Sequence, residues 1–207
     1  MVESSDVSEI KPPARFNSFF DRKPPKLWCS GETRLLTGKL LGIISARQID
    51  SDLALKSSQL LKQLASLQET SFISGWHSPL EKDALRILLA SRAPIVFCVP
   101  KSLNRYIPSV EITDQLNQGQ ALLLTHCSAK AKRISRDASL RRNQLVVGLA
   151  EALLVLSAPE GSASLKLAKS ASSQGKPVLT LEHPLNMELL ATGALTATLE
   201  NIERALR

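Results

Sequence analysis

From Lys26 onward, short apolar runs alternate with longer segments of helical spacing. Leu40–Ile44 is a continuous apolar run, which predicts a strand buried on both faces. Ser71–Ser74, Ile95–Val99, Ala121–Thr125, Ala152–Leu156 and Pro177–Leu181 read the same way. Between them, Asp50–Leu67 carries Leu53, Leu60, Leu61, Leu64 and Leu67 on one helical face, with Asp50 or Ser51 as the N-cap. Further helices are predicted over Pro79–Ser91, Val110–Gln118, Leu140–Glu151, Ser162–Ser173, Asn186–Ala191 and Thr198–Leu206. Pro79 suits a first helical turn, where its missing N–H is not needed. Buried strands alternating with amphipathic helices predict an α/β fold: a doubly wound, mainly parallel, Rossmann-like sheet.

Residues 1–25 break the pattern with Pro12-Pro13, Pro24-Pro25 and scattered charge. They read as a flexible N-terminal tail before a single domain over 26–207, although Phe16, Phe19 and Phe20 offer an apolar face that could dock on the domain or a partner. The chain's 207 residues suffice for one core without staples. No apolar run approaches the ~18 residues of a membrane span, and the N-terminus lacks the apolar region of a secretory signal. Cys29, Cys98 and Cys127 are widely spaced and form no CxxC, against a disulfide scaffold or zinc ribbon and for a cytoplasmic location.

Charge is concentrated. The chain carries a net +7, and Lys130, Lys132, Arg133, Arg136, Arg141 and Arg142 face only Asp137 within thirteen residues, a net +5. Such a field suits a polyanion such as nucleic acid; the plainer reading is a solvated helix face. If that stretch is helical, Arg133 and Arg136 share a face.

In doubly wound sheets ligands sit beyond the carboxyl ends of the strands, so the turns there carry the chemistry. Ser45-Ala46-Arg47 follows the first strand: small residues allow an anion to approach the backbone and Arg47 adds a bidentate donor, or the segment is a connecting turn. Ser74-Gly75-Trp76-His77 follows the second, with Trp76 as a base-stacking or a packing residue and His77 as an ordinary polar loop residue. Arg142-Asn143 lies past the basic stretch, with donors for a phosphate backbone. Ser162 and Ser164 open a helix, as an anion cradle or as plain N-capping. No GxGxxG or P-loop fingerprint is present. His77, His126 and His183 are too scattered for a metal set, and adjacent His126 and Cys127 would point to opposite faces of a strand.

Taken in order, these turns resemble the Rossmann-like domain of the DprA/Smf family of DNA-processing proteins. The matching segments are Pro25–Gly31, Ile43–Arg47, Ile73–Glu81, Ser102–Pro108, Arg142–Ala150, Ser162–Ala168, Gly175–Val178 and Leu189–Ala194, across about residues 25–195. Family glycines are replaced by Ser45 and Ala163, and the Gly-rich third turn becomes Pro100-Lys101-Ser102. The resemblance implies a non-enzymatic single-stranded DNA-binding protein that helps load a RecA-type recombinase during DNA uptake or recombination, without cofactor or metal, and a homodimer. The residues expected at the nucleic acid are Ser45, Arg47, Ser74, Gly75, Lys130, Lys132, Arg133, Arg136, Arg142, Asn143, Ser162 and Ser164. The alternative is a nucleotide-binding sensor, or a relative of the LOG-type phosphoribohydrolases. In the latter the catalytic carboxylate position is held by Leu167, which can neither accept a proton nor stabilise a developing cation.

Overall fold

The continuous apolar runs become the inner strands of one sheet. The computed structural model describes all residues except 1, 3–5, 18–23, 68 and 132. Its strands are β1 (Ser8–Ile10), β2 (Leu27–Gly31), β3 (Lys39–Ile44), β4 (Thr70–Ser74), β5 (Ile95–Cys98), β6 (Ala121–Thr125), β7 (Ala152–Val155), β8 (Val178–Thr180) and β9 (Leu195–Thr196). Their spatial order is β1-β2-β6-β5-β4-β3-β7-β8-β9. β2 pairs antiparallel with β1 and β6, and every other pairing is parallel. The doubly wound, mainly parallel α/β architecture therefore holds.

The helices are α1 (Ala14–Asn17), α2 (Ser51–Leu64), α3 (Pro79–Ala90), α4 (Val110–Asn117), α5 (Arg136–Leu149), α6 (Ala163–Ser173), α7 (Met187–Ala191) and α8 (Leu199–Ala205). Side-chain alternation along the strands divides the interior into two cores. Leu41, Ile43, Phe72, Leu123 and Leu154 face α2, α3 and α8, whereas Leu40, Ile44, Ile73, Leu124 and Val155 face α5 and α6. Each fully buried Leu or Ile contributes roughly 1.5–3 kcal/mol relative to exposure.

Three elements depart from the sequence reading. The segment expected to be a tail contributes β1 to the sheet edge, and Phe16 is fully buried in the α5-side core. An apolar ring in this position is more stable against the core than in water. Phe19 and Phe20 lie outside the described residues. Helix α5 starts at Arg136 rather than Leu140, because the Ser135 hydroxyl accepts the Ala138 N–H and caps it there. Arg133 consequently precedes the helix and shares no helical face with Arg136. Leu67 falls beyond the end of α2.

The path of the chain fixes where a ligand can bind. From β3 it winds outward through β4, β5 and β6, then returns to the opposite side of β3 as β7 and continues to β8 and β9. The winding direction reverses between β3 and β7, opening a crevice at their carboxyl ends.

Candidate functional site

A cavity of about 410 Å³ occupies that crevice. The turn after β3 contributes Ser45, Ala46 and Arg47; the start of α3 contributes His77, Ser78 and Glu81; α5 contributes Ser139, Arg142 and Asn143; and the start of α6 contributes Ser162, Ala163, Ser164 and Leu167. A second cavity of about 380 Å³ between α2 and α3 shares none of these residues. Its two charged side chains, Asp83 and Arg86, are paired with each other.

Buried Glu81 organises the first two turns. Ser78 caps α3 and forms a capping box with it. Glu81 Oε1 accepts the Ser45 N–H at 2.9 Å, and Oε2 accepts those of His77 at 2.8 Å and Ser78 at 3.2 Å. The carboxylate is thus committed to holding backbone. The β7 turn is tied in from the other side: Ser157 accepts the Ala46 N–H through its carbonyl and donates its hydroxyl to the Gln48 carbonyl at 2.6 Å. Fully buried Asn186 accepts from Ala158 N–H and donates to the Leu156 and Leu181 carbonyls. Such fully satisfied networks make the crevice rigid.

Arg142 is the buried cation of the site, only 5% exposed. Its Nη1 donates to the Gly75 carbonyl at 3.1 Å and its Nε to Asn143 Oδ1 at 2.8 Å. Burial lowers its pKa below the ordinary value, and the nearby Glu81 carboxylate opposes that shift. A guanidinium stays charged regardless. Arg47 is exposed on the opposite lip, with Nη2 3.3 Å from His77 Nε2. Burial, then Arg142 and Arg47, lower the His77 pKa, so the ring is neutral near pH 7 and Nε2 accepts from Arg47. No described ion pair involves Arg47, Arg136, Arg141 or Arg142. At the start of α6, Ser162 Oγ accepts the Leu165 N–H, and Ser164 Oγ donates to the Ser157 carbonyl.

The structure thus brings Ser45, Arg47, Arg142, Asn143, Ser162 and Ser164 to one cavity. Arg136 lies three residues before Ser139 and seven before Asn143, on the same stripe of α5. Lys130 and Arg133 are exposed ahead of that helix, and Lys132 lies outside the described residues. Ser74 and Gly75 are expected contacts that the fold buries. Ser74 Oγ accepts the Trp76 N–H, and Gly75 makes room for Arg142. Trp76 is a packing residue, 4% exposed, with Nε1 donating to the Val96 carbonyl, so it offers no stacking surface. His77, read from the sequence as an ordinary polar loop residue, and Glu81, the end of the Ile73–Glu81 segment, are not among the expected site residues; the approach of α3 to the β3 turn brings both to the cavity.

His126 and Cys127 do meet, contrary to the alternation expected for a strand, because they follow β6 rather than extend it. Cys127 Sγ is 3.6 Å from His126 Nε2. Burial raises the thiol pKa and lowers that of the imidazole to about 4, so both are neutral near pH 7. Among the described residues, no three His, Cys, Asp or Glu side chains are grouped to hold a metal ion, and no helix is long and apolar enough to cross a membrane.

A doubly wound sheet with two arginines converging at its switch point defines a Rossmann-like protein with an arginine-lined crevice. The chain belongs to the DNA recombination-mediator protein A family, whose sequence model matches residues 8–201. Among solved structures it is similar to DNA processing protein A from Helicobacter pylori, described for a unique single-stranded DNA binding mode. The two share 24% identity at a TM-score of 0.76, over 96% of this chain and 94% of that one. DNA processing protein A from Streptococcus pneumoniae gives 17% identity and a TM-score of 0.79, over 97% of this chain and 74% of that one. A molybdenum cofactor binding protein from Rippkaea orientalis shares the fold more distantly, with 17% identity and a TM-score of 0.54, over 80% of this chain and 93% of that one. No curated protein matches the sequence.

Proposed function

We propose that this protein binds single-stranded DNA at the β3/β7 crevice and acts, without catalysis, in DNA processing. A backbone phosphate enters the cavity between Arg47 and Arg142, and Ser45, Asn143, Ser162 and Ser164 supply polar contacts. Arg136, Arg133, Lys130 and Lys132 extend the electrostatic track along the strand. Family membership and the single-stranded DNA binding mode described for the Helicobacter pylori relative support this reading. The observation that carries it is the convergence of two arginines, neither in a described ion pair, on one cavity at the switch point. The expected setting is a cytoplasmic homodimer that delivers bound DNA to a RecA-type recombinase.

The test is fluorescence anisotropy of a labelled oligonucleotide, single- against double-stranded, over a salt series. Each neutralised phosphate contributes about −0.7 to the log–log salt slope for single strands, so four to six contacts predict a roughly 50- to 300-fold loss over a fourfold rise in salt. Arg47→Ala flattens the slope by about 0.7, and the pair Arg136→Ala and Arg142→Ala weakens binding further. Unchanged affinity in these variants refutes the site.

A nucleotide sensor is the second reading, favoured by one observation: at about 410 Å³ the cavity has the size of a small-ligand pocket. Competition by mononucleotides against the oligonucleotide separates the two. The phosphoribohydrolase reading loses ground because Leu167 lines the cavity and Glu81 is committed to three backbone N–H groups.

A further inference from the structure

His77 is a titratable side chain that joins the start of α3 to the β3 turn at the mouth of the crevice. It lines the cavity from the start of α3, and its Nε2 meets Arg47, which arrives from the β3 turn. Its N–H bond to Glu81 Oε2 fixes the backbone from which the exposed ring reaches Arg47. Among the described residues, four charged groups act on it. Arg47 approaches from the β3 turn, Glu81 and Lys82 from α3, and Arg142 from α5; the start of α6 offers only the hydroxyls of Ser162 and Ser164.

We propose that His77 couples proton uptake to strand binding: in the free protein its neutral imidazole accepts from Arg47 and holds the guanidinium over the cavity, and when a phosphate arrives the ring takes a proton from solvent and becomes an added cationic donor. This rests on the single-stranded DNA reading above. The physical reason is charge balance. Burial and two arginines disfavour a third positive charge in the free crevice, and only Glu81 opposes them. A phosphodiester supplies the missing negative charge next to all three groups and draws Arg47 toward itself. The Nε2 lone pair then loses its donor, and a proton replaces it. An anion within ~4–6 Å favours the charged form of a neighbouring imidazole. By linkage, a ligand that raises this proton affinity binds more tightly as pH falls.

The experiment measures the affinity of a labelled oligothymidylate between pH 5.5 and 7.5 at constant ionic strength. Neither thymine nor the phosphodiester titrates in that range, so the proton uptake belongs to the protein. Affinity should increase by up to about tenfold per pH unit where the free and bound states differ by one proton. His77→Gln keeps a side chain that accepts from Arg47 but cannot take a proton; it should bind at pH 7.5 and show a flat profile. Histidine NMR gives the direct readout: the resonance missing in His77→Gln should titrate at higher pH with the oligonucleotide than without it. His126 is held near pKa 4, below the window, and His183 is present in both proteins. Equal pH profiles for wild type and His77→Gln, with binding intact, overturn the coupling and leave the DNA-binding reading standing. No binding by wild type at any pH overturns both.

Discussion

Gly75 and Arg142 fit together only as a pair. The guanidinium lies over the glycine, and a Cβ at residue 75 would come within 2.2 Å of Nη1 and 2.3 Å of Cζ. The side chain has little freedom to retreat, since Nη1 is bonded to the Gly75 carbonyl and Nε to Asn143. Gly75→Ala should therefore displace Arg142 from the crevice. Overpacking of this kind costs about 1–3 kcal/mol, readable as a lower urea midpoint, and DNA affinity should fall with it. A variant of unchanged stability and affinity would refute the pairing.

Arg142→Lys preserves charge but not geometry. A planar guanidinium serves the Gly75 carbonyl and Asn143 Oδ1 at once, whereas an ammonium is a compact point charge on a flexible stem. A buried acceptor left without its partner costs about 1–3 kcal/mol. Exposed Arg47, by contrast, has no buried partner, so Arg47→Lys should leave the urea midpoint within about 0.5 kcal/mol of wild type. Comparing the two lysine variants by denaturation separates a buried arginine that the fold depends on from an exposed one that it does not.

How far the sequence reveals this molecule depends on how local each signal is. Leu40–Ile44 and Ala121–Thr125 are legible because strands inside the sheet are buried on both faces and read as near-continuous apolar runs. β1 and β9 are three and two residues long, too short for an alternating or continuous apolar pattern to mark them. In α5 the usual pattern is inverted: Leu140 is 46% exposed while Arg142 is buried. Periodicity therefore misplaces the helix start, and the arginine reads as a solvent-facing cation. The turns that build the crevice are legible from their position after each strand. Glu81 and His77 are not, because their partners Ser45 and Arg47 lie 36 and 30 residues away.

Glu81→Gln tests the carboxylate that ties the β3 turn to α3. Three backbone N–H groups point at its two oxygens, and an amide presents only one oxygen as acceptor. Either Ser45 or the His77–Ser78 pair then faces an N–H₂ group. A loss of about 1–3 kcal/mol is expected, as for buried hydrogen-bonding groups left unsatisfied, measured by thermal or urea denaturation. DNA affinity should drop as well, since the turn bearing Arg47 is released.

Phe16 makes the N-terminal segment part of the fold. Its ring is fully buried in the core shared with Leu145, Leu149 and Leu27. Large-to-small changes of an aromatic residue in a core cost about 3–5 kcal/mol, so Phe16→Ala should lower the unfolding midpoint steeply. An alanine variant with wild-type stability would mean that the segment is dispensable.

His126 predicts how stability responds to acid. Its Nδ1 is buried without a hydrogen-bond partner, and Nε2 meets only the weakly polar Cys127 Sγ among the described residues. Burial first, then Arg141 and Arg142, push its pKa down to about 4, against about 6.5 for an unfolded histidine. The folded state therefore resists protonation, and between these two values the unfolded chain binds more protons. Stability then rises with pH across that window: the contribution is complete above about pH 6.5 and is lost as pH falls toward 4, with a limiting slope of about 1.4 kcal/mol per pH unit per proton. His77, also depressed, acts in the same direction, so the measurement belongs in the His77→Gln background. Urea denaturation there at pH 7, 6 and 5 should show falling stability. Adding His126→Gln should flatten the dependence, whatever its effect on the absolute value at pH 7. If the slope between pH 5 and 7 is the same with and without His126, the imidazole is protonated as easily in the folded protein as in the unfolded chain, which overturns the prediction.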